Sequence, residues 1–440
     1  MSRSHRHIAS THSAKRAVGL WEPMESIGGA ESYRFLENGL TAIVYPKHDI
    51  PVVATMVTYC IGSVNEHLGT TGSTHILEHM MFKGSQRFDA KDHRGVSDLI
   101  ESKGATVNAT TWYDRTNYYE VAPRALVRTC VELEADRMRN LTLRKEDLDA
   151  EMVVVRNEYE RGRNDPHRLL STELWATAFT KHPYHYDTIG IKEDIEQVTV
   201  EKLQRYYNTF YWPQNATVSL VGDIRVRDGL ELIGNSFSGI NRGDIEEPRI
   251  EVEPEQHEER RISLSRSGTV QLLSVGYKVP GGRNSDSAAL LIASGMLANG
   301  KGSRLYRELV DANLATSVSS FSSRFRYEGL SEFTVSLARG VRHESVLTVF
   351  DHAVSEFTRG RFTDSEFRRS LALSKANILS SHASLSGFAG ALNESIALGD
   401  WTDVFRFTSA LDSVTPQDVQ RVLNAYYTNT RRTVGKLIAQ

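Results

Sequence analysis

EEPRIEVEPEQHEERR, residues 246–261, is charged, contains two prolines and follows neither a helical nor a strand period. It reads as a linker, because prolines interrupt regular elements and so charged a segment has little to bury. A chain of 440 residues is too long for one ordinary core, so two domains of roughly 200 residues are expected on either side of such a break. Before the linker, residues 31–49 (ESYRFLENGLTAIVYPKHD) give two strand-like runs around the turn signal Asn38-Gly39, and PVVATMVTYCIGSVNE (51–66) a buried strand and loop. STHILEHMMFKGS (73–85) and KDHRGVSDLIESKG (91–104) read as helices, and ATVNATTWYDRTNYYEVAP (105–123) as a strand pair. RALVRTCVELEADRMRN and RKEDLDAEMVVVRNEYERGRN read as two further helices, the second largely buried through Met152-Val153-Val154-Val155, and NATVSLVGDI closes the half as a strand.

After the linker the same order restarts. TVQLLSVGYKVPGG is a strand and loop, SAALLIASGMLANG a helix, and ATSVSSFSSRFRYEG with SEFTVSLARG a strand pair. The expected fold class is therefore α+β, with two similar α/β-sandwich domains in which a mixed sheet packs against helices. Residues 1–29 are expected to form a basic, disordered tail, 30–245 an N-terminal zinc-bearing catalytic domain, 246–262 the linker and 263–440 a C-terminal domain of the same fold without metal. The helix after the first strand of the second copy carries no His or Glu, so only the first copy keeps the chemistry.

Hydrophobic content of 40% and aromatic content of 9% suit a chain with a sizeable interior. A formal net charge of -3 argues against a nucleic-acid partner, and no apolar run reaches the length of a membrane span. Cys60 and Cys130 lie in apolar contexts and read as buried structural thiols. The N-terminal stretch is basic and Ser/His-rich without an apolar core, so it is no secretory signal, and a cytoplasmic location is expected.

Within residues 73–85, His75, Glu78 and His79 fall within five positions. On a helix, residues four apart share a face, so His75 and His79 can turn imidazole nitrogens to one ion. Zn2+ suits nitrogen and oxygen donors in tetrahedral array, and the pattern is the inverted zincin motif H-x-x-E-H. Glu78, beside that face, is placed as general base toward a water whose pKa such a metal lowers to about 7. The bland reading is a surface helix with solvated His and Glu. The apolar neighbours Ile76, Leu77, Met80, Met81 and Phe82 weigh against it, since buried polar groups are costly unless something satisfies them. A third protein donor is needed, and the helix at 145–164 offers Glu151, Glu158 and Glu160. Glu160 reads as solvated; Glu158, with Glu151 seven residues before it on the same face, is the better ligand.

His75-x-x-Glu78-His79 followed by EMVVVRNEYERGRND resembles the pitrilysin/insulinase family of zinc metallopeptidases (inverzincins). GATVNATTWYDRTNYYEVAP, HPYHYDTIGIKEDIEQVT, YYNTFYWPQNATVSLVGDI and GKGSRLYRELVDANLATSVSS extend the likeness over roughly residues 30–430. It is to the short form of the family, such as the mitochondrial processing peptidase catalytic subunit and bacterial relatives. The resemblance implies a zinc endopeptidase, half of a clamshell chamber, with His75, His79 and Glu158 as zinc ligands, Glu78 as general base and Glu151 as a supporting acid. It also implies that peptide substrate adds as a strand along an edge at Asn108 and Ala109, with Phe82 lining the pocket beside the metal. The interval from His79 to Glu158 is slightly longer than the family's. The Arg and Tyr that many active members place in the second half are also missing: RELVDANLATSV offers Leu309 or Val310 and then Thr316. A homologous partner subunit supplying that pair is therefore expected, in a heterodimer. The competing class is a non-catalytic structural or peptide-binding subunit, against which the intact motif argues.

Overall fold

The computed structural model describes residues 20–245 and 249–440. One sheet is built from Trp21–Ile27 (β1), Ala30–Phe35 (β2), Thr41–Pro46 (β3), Val52–Tyr59 (β4), Thr106–Thr111 (β5), Thr116–Pro123 (β6) and Ala216–Gly222 (β7). The other is built from Arg260–Arg266 (β8), Leu272–Val279 (β9), Ala315–Ser322 (β10), Gly329–Leu337 (β11) and Arg432–Ala439 (β12). Their orders are β1-β2-β3-β7-β4-β6-β5 and β10-β11-β9-β12-β8. Read from β5 inward, the first is β5-β6-β4-β7-β3, which the second repeats strand for strand. Each contains one parallel pair at the same place, β3 with β7 and β8 with β12, and the remaining pairs are antiparallel. The repeat expected from the sequence is thus real at the level of topology, with β1 and β2 added to the first copy.

Six helices matter below: Ser73–Met80 (α1), Val127–Arg139 (α2), Lys145–Asn164 (α3), Pro166–Ala178 (α4), Ser287–Ala298 (α5) and Leu385–Ala397 (α6). The compact units are not the two halves of the sequence. The first holds the described residues up to Arg156, Thr188–Arg249 and Ser381–Thr402; the second holds Asn157–Asp187, Ile250–Ser380 and Asp403–Gln440. α3 is one unbroken helix, and the division falls inside it. In the first unit α6, from the last quarter of the chain, packs on β4, β7 and β6, while α2 packs on β4 and β6. That double cover explains why β4 (VVATMVTY) is buried along nearly its whole length instead of alternating. Thr58 donates to Asn393 at 2.8 Å and Arg115 Nε to Glu394 at 3.0 Å, fixing where α6 sits. In the second unit α4, from the first half of the chain, packs on β12, β9 and β8. Glycines admit it closely: a Cβ on Gly435 would lie 3.0 Å from Leu170, and one on Gly276 3.2 Å from Leu174. Buried Glu332 on β11 then accepts from Trp175 Nε1 and Ser171 at 3.0 Å and from Ser274 at 2.9 Å.

Several sequence expectations need correction. Of the expected tail, residues 1–19 lie outside the described residues, but from Trp21 the chain is a strand paired with β2. Residues 91–104 are not one helix; they break into Ala90–Asp92, Val96–Leu99 and Glu101–Lys103, with His93 left-handed at φ 53° and Gly95 against Ala90. In α3, Met152 and Val155 are buried, but Val153 and Val154 are exposed, so that helix presents only one face to the interior. Cys130 is buried and Cys60 half-buried, and neither forms a disulfide.

The stretch read as a linker is fastened down. Residues 246–248 lie outside the described residues, β8 already begins at Arg260, and between them the Glu253 side chain is 3% exposed. Its carboxylate accepts the backbone N–H groups of Thr180 at 2.8 Å, Lys181 at 2.9 Å and His182 at 3.2 Å, and pairs with buried Lys278 at 3.1 Å. Burial alone would raise the Glu253 pKa, but those amides and Lys278 more than reverse this and hold it at about 2, against 4.5 ordinarily. The stability this group contributes is therefore full above pH 4.5 and is lost as pH falls toward about 2. Glu253→Gln should cost about 3 kcal/mol in urea unfolding at pH 7, because it leaves Lys278 buried without its carboxylate. The gap between wild type and variant should narrow as the same measurement is taken down to pH 3.

Candidate metal centre

α1 is eight residues long, too short to hold itself as a helix in water, and its ends are fixed by side chains from elsewhere. At its start Gly72 is left-handed at φ 84°, and a Cβ there would lie 2.5 Å from the Ile189 carbonyl oxygen, so only glycine fits. Buried Glu66 lies across that end. One oxygen accepts Gly72 N–H at 2.8 Å; the other accepts Thr74 N–H at 2.7 Å and the Thr74 hydroxyl at 2.6 Å. A carboxylate there also complements the positive end of the helix dipole. Burial nevertheless pushes Glu66 up to about 7, against the pull of those donors. Asp194 anchors the approach to the helix, accepting Gly69 N–H at 2.9 Å and the Thr71 hydroxyl at 2.7 Å. Ile76, Leu77 and Met80 then face the interior, which turns His75 and His79 to the half-exposed side.

His75 Nε2 and His79 Nε2 lie 3.2 Å apart. A Glu158 carboxylate oxygen joins them, with all three ligand atoms within 4.8 Å of one another. Donors about 2.0–2.1 Å from a tetrahedral zinc are separated by about 3.3 Å, so the imidazole pair already has the spacing of one edge of such a site. His79 turns its other nitrogen, Nδ1, to Glu151 at 2.7 Å, and with Nδ1 protonated the lone pair is left on Nε2, toward His75 and Glu158. Lys83, one turn beyond His79, pairs with the second Glu151 oxygen. Burial would raise Glu151, but its bonds to Lys83 and His79 outweigh that and hold it below the ordinary carboxylate range. The donor set fits a zinc ion by chemistry and by spacing. It joins His75, His79 and Glu158, with Glu151 one contact behind on His79, and leaves Glu160 exposed.

Glu78 is buried at 8% exposure and accepts the Thr111 hydroxyl at 2.5 Å. Tyr118 and Tyr211 lie close by, hydroxyl to hydroxyl at 3.0 Å; burial first, and then neighbours that include Glu78, push both phenols up. Phe82 is half-buried and stacks over the guanidinium of Arg137 at 5.4 Å, with Tyr118 on the same cation at 4.5 Å. Asn108 and Ala109 lie on β5, the sheet edge, with Asn108 outward and Ala109 buried. Sequence reasoning missed Glu66, Lys83 and Thr111. Lys83 was within reach, four residues after His79, and Thr111 two residues after Ala109 on one strand face; nothing local marked Glu66. In the second half, Leu309 is buried and Thr316 exposed, while Arg307 is held on Glu366 at 2.6 Å together with Arg304 at 2.9 Å. Glu151→Gln should weaken metal retention about 10- to 100-fold in chelator competition, without loss of fold by circular dichroism.

Known proteins resemble this chain over nearly its whole length. The family described as "Insulinase (Peptidase family M16)" matches residues 42–191, and "Peptidase M16 inactive domain" matches residues 197–373. Zinc protease PqqE of Helicobacter pylori is 29% identical over 405 residues, covering 90% of each chain. The probable mitochondrial-processing peptidase subunit beta of Arabidopsis thaliana is 22% identical, over 89% of this chain and 75% of its own. A crystal structure of a protease from Helicobacter pylori superposes with a TM-score of 0.88 at 28% identity, over 93% of this chain and 99% of that one. With both halves matched in order, the fold shared over nearly the whole length and relatives named as zinc proteases, the chain belongs to the insulinase family of peptidases.

Proposed function

We propose that this chain is a zinc-dependent endopeptidase subunit that hydrolyses peptides or unfolded segments. The convergence of His75, His79 and Glu158, with Glu78 beside them, carries the reading. Bound there, zinc supplies a Lewis acid that lowers the pKa of water to about 7 and polarises a carbonyl. His75, His79 and Glu158 hold it, and Glu151 keeps His79 in the required tautomer. Glu78 takes the proton from the attacking water and hands it to the leaving amine. An extended substrate pairs along β5 past Asn108 and Ala109, its main chain gripped by main chain and its side chains read by pockets that include Phe82.

Donors for the oxyanion are among the largest contributions to peptide hydrolysis, and the segment that would hold them has Leu309, Val310 and Thr316 instead. Arg307, the nearest substitute, is held on Glu366. A homologous partner subunit with the Arg and Tyr therefore completes the site. The non-catalytic alternative draws on the inactive-domain match, but that match covers residues 197–373 and not the motif.

Purified chain should bind one equivalent of zinc, lose it in His75→Ala and keep it in Glu78→Gln. Alone it should cleave a quenched fluorescent peptide mixture at background rate, and cleave rapidly once a homologous subunit bearing the Arg and Tyr is added. Rapid cleavage by the chain alone, abolished in Glu78→Gln, would remove the need for a partner. Failure of the wild type to bind zinc would remove the metal reading itself.

A further inference from the structure

We infer that Thr111, on the edge strand β5, is a positioning residue for Glu78. The inference rests on the peptidase reading above and deepens it.

Thr111 is the last residue of β5 and pairs with Thr116 of β6. Along β5 the side chains alternate, with Asn108 and Thr110 exposed and Ala109 and Thr111 buried. The inward direction takes the Thr111 hydroxyl to α1, where it donates to Glu78 Oε2 at 2.5 Å. The terminal torsion of a glutamate is broad, so a carboxylate without a fixed partner samples many orientations of its two oxygens. With Oε2 engaged by the hydroxyl, that sampling is narrowed.

The strand end that carries this hydroxyl is itself held. Arg115 Nη1 donates to the Thr110 carbonyl at 2.9 Å and to its hydroxyl at 2.5 Å, and the same guanidinium is fixed to Glu394 of α6. Among the described residues β5 ends the sheet, with no strand paired on its outer side. A main chain added there hydrogen-bonds the same strand whose inner side holds Glu78.

Thr111→Val keeps the β-branched shape and removes the hydroxyl; Thr111→Ser keeps the hydroxyl. In the zinc-loaded chain with its partner subunit, Thr111→Val should lose about 100-fold in kcat with KM within about 2-fold, and Thr111→Ser should stay within about 3-fold of wild type. Zinc retention against a chelator should be the same in all three, because Glu78 is not a ligand. A kcat for Thr111→Val within about 3-fold of wild type would overturn the inference, as would a loss that tracks weakened zinc retention or that serine fails to rescue.

A second readout needs no turnover. With the Glu78 carboxyl carbon labelled, its resonance in the peptide-free chain should lie at one position in wild type and Thr111→Ser and move in Thr111→Val. An unmoved resonance in the valine variant would overturn the inference. Absence of zinc from the wild type, or full activity of Glu78→Gln, would instead overturn the peptidase reading beneath it.

Discussion

The site depends on keeping a two-turn helix in place when it cannot keep itself. An isolated eight-residue helix is unstable in water, and α1 also carries two imidazoles and a carboxylate that gain nothing from burial. Its position is imposed from outside. Glu66 closes the N-terminal end, Glu151, itself paired with Lys83, grips the C-terminal histidine, and Ile76, Leu77 and Met80 seat one face in the core. The 3.2 Å separation of the two Nε2 atoms follows from that clamping, since residues four apart on a regular helix face one point only if the helix does not fray.

The two units show what this chemistry costs in packing. The helix that follows β9, α5, is buried along nearly all of its length and carries only small and apolar residues. Its counterpart α1 has a half-exposed polar side and needs carboxylates to hold it. One copy of the repeat has spent its position on packing and the other on a site. Each unit also takes a helix from the far part of the chain, α6 in the first and α4 in the second, so neither half of the sequence completes its own sheet cover. The Asn393 and Glu394 contacts of α6 reach Thr58 on β4 and Arg115 in the turn between β5 and β6. The edge proposed to receive substrate is thereby tied to residues nearly 300 positions away in sequence, Arg115 and Glu394 being separated by 279.

Much of this was legible in the sequence. The restart of strand, helix and strand pair after residue 262 foretold two sheets of one topology, because buried central strands read as apolar runs and β4 and β9 are both of that kind. His75, Glu78 and His79 were marked by their spacing, and Glu158 with Glu151 by a seven-residue interval on one helix. What did not show was long-range pairing. Glu253 looked like one acid among many in a charged linker; that its carboxylate gathers three amides and a buried lysine is a property of tertiary structure alone. Val153 and Val154 looked like core and are exposed, since an apolar run on a helix cannot all face one way. The helix exchange left no local trace, because an apolar helix face does not say which sheet it covers.

X-ray absorption at the zinc edge of the metal-loaded chain tests the central claim most directly. The account predicts a first shell of nitrogen and oxygen donors only, with the scattering signature of two imidazoles, one of which disappears in His79→Ala. A sulfur in the shell, or an all-oxygen shell of six ligands, would contradict it.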